Sequence, residues 1–347
     1  MRFGAQRGGA RQGLTAVDPG ARPVMLRADV SEVAPAGCRT LAAEVFPPAG
    51  HETGGDHAGV VLFCFPGGGM TRRYFDLPLP GYSFAAHMSG LGYLTVIVDH
   101  PGVGESDTPD DGWTLTPEVV ADVDAAAVRS VLQQLGAGRV ADIGPFSPVA
   151  VVGVGHSAGA LLVVRQQAAH RPYDAVALLG WSDSGLPQHL DEDDRTLGGD
   201  PRRLRAVQVD QARRRHGAPL VEIGRGASRP GTGRTNGDVR AALGAAASPL
   251  LTVVGFASIV PGNSAPEAAA VDVPVFIGVG QNDLAGDHHL IPSQLPGARD
   301  VTLFVLEGAG HNHNAAPNRG VLWDRMAGWL RSVVPVGGPA PSRSLTP

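Results

Sequence analysis

Six short runs of unbroken apolar, mostly β-branched sequence are the strongest constraint on how this chain can fold. They are GVVLFCF (Gly59 to Phe65), LTVIVD (Leu94 to Asp99), VAVVGV (Val149 to Val154), AVALL (Ala175 to Leu179), VPVFIGV (Val273 to Val279) and VTLFVL (Val301 to Leu306). A strand with one wet face alternates apolar and polar residues, so continuous apolarity predicts strands covered on both faces. Helical periodicity separates many of these runs, notably over Pro117 to Leu135, Ala158 to Ala169 and Arg319 to Val334. Strand, helix, strand repetition predicts an α/β architecture: a mostly parallel central sheet with helices on both faces. Pro23 to Ala28 and Thr40 to Phe46 precede the pattern and are expected as antiparallel edge strands.

The alternation fails between Ser184 and about Ala270. A loop of that length without structure is improbable in a compact domain, so an inserted lid or cap, partly helical, is expected over the carboxyl ends of the strands. Its charged segments, DEDD (Asp191 to Asp194) and the arginines Arg213 to Arg215, read as solvated faces, and a glycine-rich run covers Gly224 to Gly237. The organisation is then a core in two parts, 21–183 and 271–335, interrupted by a lid at 184–270. Flexible tails are expected at 1–20 and 336–347, where Gly, Pro, Ser and polar residues dominate.

Composition excludes several functional classes. With 28 Lys+Arg against 33 Asp+Glu the net charge is −5, which offers no cationic field for nucleic acid or anionic membrane. The first twenty residues hold no apolar run long enough for a signal-peptide core or a membrane span, and a cytoplasmic location is expected. The two cysteines, Cys38 and Cys64, form neither a disulfide framework nor a CxxC pattern.

The chemistry is concentrated at Gly155-His156-Ser157-Ala158-Gly159, between an apolar strand and a helix. Small residues beside the serine suit a sharp strand-to-helix turn, where larger side chains would strike neighbouring strands. The hydroxyl of Ser157 would project from the sheet edge, and the Ala158 amide would point from the helix N-terminus toward a developing oxyanion.

On these residues the chain resembles the α/β-hydrolase superfamily of serine esterases, lipases and thioesterases. FCFPGGGM (Phe63 to Met70) is similar to the family's oxyanion loop, with Pro66 where a histidine often stands; the resemblance makes Gly68 and Gly69 candidate donors beside Ala158. VDHPGVGESD matches the family's Asp-x-x-Gly-x-Gly-x-Ser loop at Asp99, Gly102, Gly104 and Ser106, which hold the loop rather than act on substrate. The family's order of serine, acid and histidine then implies Asp283, in VGQND, as the acid and His311, in EGAGH, as the base. Asp183 and Asp287 are rival acids, His313 could compete with His311, and His288 and His289 lie near the acid loop. The implied fold is the α/β-hydrolase fold with an inserted lid.

An imidazole titrating near neutrality can take the serine proton and return it to a leaving group. The expected reaction is cleavage of a carboxylic ester, lactone or thioester of a small molecule through an acyl-enzyme on Ser157. Neither a metal nor an organic cofactor is required. A serine at the turn argues against branches that form an alkyl-enzyme ester on an aspartate. Apolar walls for the substrate are expected from Met70 and Trp181, with Tyr74 and Trp113 as further candidates. Three alternatives stand beside this reading: an acyltransferase using the same residues, a hydrolase-like protein that only binds, and a dinucleotide-binding oxidoreductase. The last rests on Gly153, Gly155 and Ala158, which also fit G-x-G-x-x-A. Oligomeric state is not readable from the sequence.

Overall fold

A computed structural model describes residues 22–49, 59–222 and 237–334. The expected tails, and the glycine run from Gly224 as far as residue 236, lie outside the described residues. Eight strands form one sheet: β1 (Val24–Asp29), β2 (Thr40–Phe46), β3 (Val60–Phe65), β4 (Leu94–Val98), β5 (Ala150–His156), β6 (Ala175–Leu179), and, after two short lid strands, β9 (Val275–Asn282) and β10 (Val301–Gly310). The order is β1-β2-β4-β3-β5-β6-β9-β10. β1 and β2 are the antiparallel edge pair expected from the sequence, and β4, β3, β5, β6, β9 and β10 run parallel.

The unbroken apolar runs have a direct structural cause. Along β3, Val61, Phe63 and Phe65 enter the core on one face while Val60, Leu62 and Cys64 enter the core on the other. Both faces of a central parallel strand are roofed by helices, so the period-two alternation carries no polar residue. One roof includes α2 (Pro117–Gly136) and α3 (Ala158–His170), through Val123, Val128 and Val163. The other includes α1 (Phe84–Gly90) and α9 (Arg319–Val333), through Phe84, Met88, Trp323 and Met326. Helix α2 begins where its sequence tells it to: Thr116 accepts from the Val119 amide and Pro117 occupies the first turn. Cys38 and Cys64 are both buried free thiols.

The insertion is mostly helical. It contains α4 (Glu192–Arg195), α5 (Pro201–His216), α6 (Gly237–Ala245), α7 (Thr252–Ile259) and α8 (Ala265–Ala270), with β7 (Leu220–Val221) pairing antiparallel to β8 (Leu250–Leu251). A bridge between Met70 and Ala247 ties it to the loop after β3. Its charged segments are largely solvated, as expected: Asp191 to Asp193 and Arg213 to Arg215 are exposed, and Asp194 is the exception. Asp194 is 2 % exposed, with Arg214 at 3.5 Å and Arg215 at 3.6 Å, and Asp191 caps α4 through the Asp194 amide. Arg213 lies 5.0 Å from the ring centre of Trp113. The Asp194 contacts join α4 to α5, because a buried carboxylate needs a partner, while Arg213 reaches across to the core. Among the described residues, no helix is long and apolar enough to cross a membrane.

Candidate active site

Strand β5 delivers Ser157 at the turn into α3, with φ 55° and ψ −120°. A non-glycine residue held there stores strain that the surroundings must impose. The Ser157 amide donates to the Leu179 carbonyl at 2.8 Å, and the flanking glycines leave room for the turn. A Cβ on Gly155 would lie 2.4 Å from the Ala160 Cα, and one on Gly159 would lie 2.3 Å from the Phe65 carbonyl oxygen. Both clashes are with backbone, so neither position can accept a side chain without moving the strand-helix junction. The Ser157 hydroxyl makes no cap bond to α3. It lies 2.9 Å from His311 Nε2 instead.

His311 follows β10, and Asp283 follows β9. His311 Nδ1 is 2.7 Å from Asp283 Oδ1, while His313 Nε2 is 2.6 Å from Oδ2 of the same carboxylate. The side chain of Asp283 is fully buried, and it also accepts from the Leu284 amide at 2.7 Å. Burial works to raise the Asp283 carboxyl, but hydrogen bonds from His311 and His313 outweigh it and hold the group far below the ordinary carboxylate range. The Nδ1 of His313 is buried without a partner, so its proton belongs on Nε2, where it donates to Asp283. The Gly280 amide, 3.0 Å from that nitrogen and 3.1 Å from Oδ2, then goes to the carboxylate.

The rival acids have other duties. Asp183 Oδ1 accepts from the Ser264 amide at 2.9 Å and hydroxyl at 2.6 Å, anchoring the start of α8. Asp287 caps the short helix at His288–Gln294, where His289 is exposed and His288 half-buried. His313 does not compete for Ser157; it braces the acid from the far side.

Of the expected donors, Ala158 and Gly68 face each other: a Cβ on Gly68 would stand 3.8 Å from the Ala158 Cβ. Gly67, not singled out in the sequence, approaches Ser157 more closely, since its Cβ would lie 3.0 Å from that of the serine. Gly69 turns with φ 73°, and its carbonyl accepts from the Ser248 amide of the lid. The loop is held from behind by His100, whose Nε2 donates to the Pro66 carbonyl at 3.0 Å while Nδ1 meets Asp124 at 2.7 Å. Burial opposes charge on His100, but Asp124 prevails and raises its pKa.

A second histidine beside the serine was equally inconspicuous in sequence. His156 stacks on Tyr74 with ring centres 4.3 Å apart and donates from Nε2 to the His311 carbonyl at 2.8 Å. Burial, and then the neighbouring His311 and His313, push its pKa well down, which keeps it neutral. Tyr74 is thus an internal support rather than a substrate wall.

A cavity of about 140 Å³ opens on Ser157 and His311, walled by Leu161, Trp181, Leu186 and Leu284. Trp181, a candidate wall residue in the sequence, is thus among the lining residues. Met70 does not reach this cavity; it lines a narrower space of about 10 Å³ with Gly68, Gly69 and Ala158. Trp113 packs with the lid helices and lines neither space. Among the described residues, no group of three or more His, Cys, Asp or Glu is placed to hold a metal ion.

The strand order and the turn at Ser157 define a doubly covered α/β enzyme fold. The chain belongs to the Alpha/beta hydrolase family, whose profile matches residues 60–322. No curated protein matches it in sequence. Solved structures share the fold at low identity. An esterase from Thermogutta terrifontis is 16 % identical with a TM-score of 0.54, covering 91 % of this chain and 100 % of its own. E-2-(Acetamidomethylene)succinate hydrolase is 16 % identical with a TM-score of 0.53 over 89 % and 99 % of the two chains. The enol-lactonase from Burkholderia xenovorans LB400 is 16 % identical with a TM-score of 0.52 over 84 % and 96 %.

Proposed function

We propose that this protein is a serine hydrolase that cleaves a small carboxylic ester, lactone or thioester through an acyl-enzyme on Ser157. The observation that carries the reading is a continuous relay. Ser157 Oγ lies 2.9 Å from His311 Nε2, and His311 Nδ1 lies 2.7 Å from a buried Asp283 that its neighbours keep ionised.

In this reading Oγ attacks the substrate carbonyl and its proton passes to His311 Nε2. Asp283 fixes the Nδ1–H tautomer and stabilises the imidazolium. The tetrahedral oxyanion is received by the amides of Ala158 and Gly68, neither of which has another hydrogen-bond partner among the described residues. His311 then protonates the leaving group, and water repeats the sequence to release the acid. The oxidoreductase alternative finds no support, because Gly153 sits inside β5 against Tyr173 rather than at a phosphate-binding turn.

A fluorophosphonate probe tests the proposal. Wild type is expected to be labelled and Ser157→Ala to be silent, with hydrolysis of p-nitrophenyl esters lost in parallel. Equal silence of both proteins towards the probe and a panel of esters, thioesters and lactones would leave only a binding role.

A further inference from the structure

Ser157 and His311 come from strands that do not touch. In the sheet order β6 and β9 stand between β5, which delivers the serine, and β10, which delivers the histidine. Three strand spacings separate those strand axes by about 14 Å, so the loop after β10 must turn back over the strand ends to set its imidazole on the serine. A misplacement of about 1 Å at such a contact can cost about 10²-fold in rate.

His156, the residue before Ser157, ties that loop down. Its Nε2 lies 2.8 Å from the His311 carbonyl. A carbonyl only accepts, so the proton sits on Nε2 and Nδ1 keeps a lone pair. Apart from the contact between Ser157 and His311 themselves, this is the one hydrogen bond among the described residues that joins the serine turn, 155–159, to the base loop, 311–316. The His313 amide reaches the same carbonyl at 3.1 Å, but that bond stays inside the loop.

The ring is locked where the bond needs it. One face lies on Tyr74 with ring centres 4.3 Å apart, and a Cβ on Gly67 would stand 2.8 Å from Nδ1, so the glycine loop closes that edge. The rings of His311 and His313 lie 4.8 and 5.6 Å away. Tyr74 holds the base loop too: its carbonyl accepts from Asn314 Nδ2 at 3.2 Å, and Asn314 Oδ1 accepts from Trp323 at 2.9 Å. Serine turn, Tyr74 and base loop therefore close a circuit. Burial, then the neighbouring His311 and His313, keeps His156 neutral, so it sets no charge against an imidazolium on His311.

Building on the hydrolase reading, we infer that His156 is a positioning residue for the general base: its Nε2–H bond to the His311 carbonyl sets the separation of the Ser157 hydroxyl and the His311 ring. It acts as a fixed donor and not as a titrating group.

Two variants of the full-length protein separate the bond from the packing. His156→Gln keeps an N–H donor near the place of Nε2 and gives up the ring, whereas His156→Phe keeps a flat ring on Tyr74 and gives up the donor. Both are assayed on p-nitrophenyl acetate, with kcat referred to the sites that a fluorophosphonate labels at completion. His156→Phe is expected to lose about 10–100-fold in kcat at a KM close to that of wild type. His156→Gln should recover most of that loss and exceed His156→Phe by about fivefold or more. Any smaller ratio, or a faster Phe variant, overturns the inference, because packing and not donation would then govern the rate. Should either variant fail to fold, isotope-labelled wild type decides by NMR. Coupling across a hydrogen bond from His156 Nε2–H to the His311 carbonyl supports the inference, and a ring protonated on Nδ1 or lacking that coupling overturns it. Variants that are labelled but equally fast remove this inference and spare the hydrolase reading; a wild type that is neither labelled nor active on esters, thioesters or lactones removes both.

Discussion

Asp283, the proposed acid, is bound by two imidazoles that share its carboxylate. The bond from His311 sets the tautomer that Ser157 needs, and the bond from His313 keeps the carboxylate oriented and ionised from its other oxygen. Asp283→Asn preserves the shape and presents an amide where an acceptor is required. Turnover of an activated ester is expected to fall by about 10⁴-fold, the scale of a lost tautomer, whereas Asp183→Asn should act through stability and leave kcat of the folded enzyme within a few-fold. Steady-state kinetics on both variants checks the assignment, and the reverse pattern would move the acid to Asp183. Ser157, Asp283 and His311 were legible as candidates because each follows an apolar run with a short recognisable sequence. His156, Gly67 and Asn263 were not, because nothing local says that a histidine within β5, one glycine of three and a lid asparagine are brought near one serine, nor that His100 after β4 holds the neighbouring loop through the Pro66 carbonyl. Met70, whose chemistry suits a substrate wall, lines the narrow space beside Gly68 and Ala158 rather than the cavity at Ser157 and His311.

At the level of elements, the lid is fastened to the helix that follows the serine by a buried cation. Arg165 of α3 is 4 % exposed and reaches Glu118 of α2 at 2.7 Å and Glu267 of α8 at 3.3 Å. Arg205 of α5 joins both carboxylates, and Gln208 donates to Glu118 at 2.9 Å. Removing the central charge leaves two partly buried carboxylates with one solvent-facing partner. Arg165→Met is expected to cost about 2–3 kcal/mol in urea unfolding, less than a sealed pair because Glu118 is 34 % exposed. Limited proteolysis should also become faster within the lid than within the sheet. The sheet strands were readable from composition alone, since both faces are covered. The lid helices were not: α5 buries only Leu204, Gln208 and Ala212 over sixteen residues, too sparse for an apolar stripe.

For the whole molecule, two buried histidines set opposite limbs of stability. His156, packed against Tyr74, His311, His313 and Asp283, has a lowered folded pKa. Below about 6.5 the unfolded chain takes up a proton that the folded one refuses, so stability falls as pH drops through that window. His100, facing Asp124 and Asp99, has a raised folded pKa. Its contribution is complete below about 6.5 and is lost as pH rises through the folded value. Urea unfolding across this range should show His156→Gln flattening the acid limb and His100→Gln the alkaline limb, each by up to about 1.4 kcal/mol per pH unit. An unchanged slope in either variant would assign that limb to other groups.

The order in which the sheet is laid down also bears on synthesis. Ser157 and His311 are 154 residues apart, and β9 and β10, which bring the proposed acid and base, occupy the last two positions at one sheet edge. At about 5–20 residues per second, a ribosome takes about 8–30 s to travel from the codon of one to that of the other. In the proposed reaction Ser157 lacks its base throughout that interval, so the nascent polypeptide is expected to leave esters intact until synthesis has passed His311.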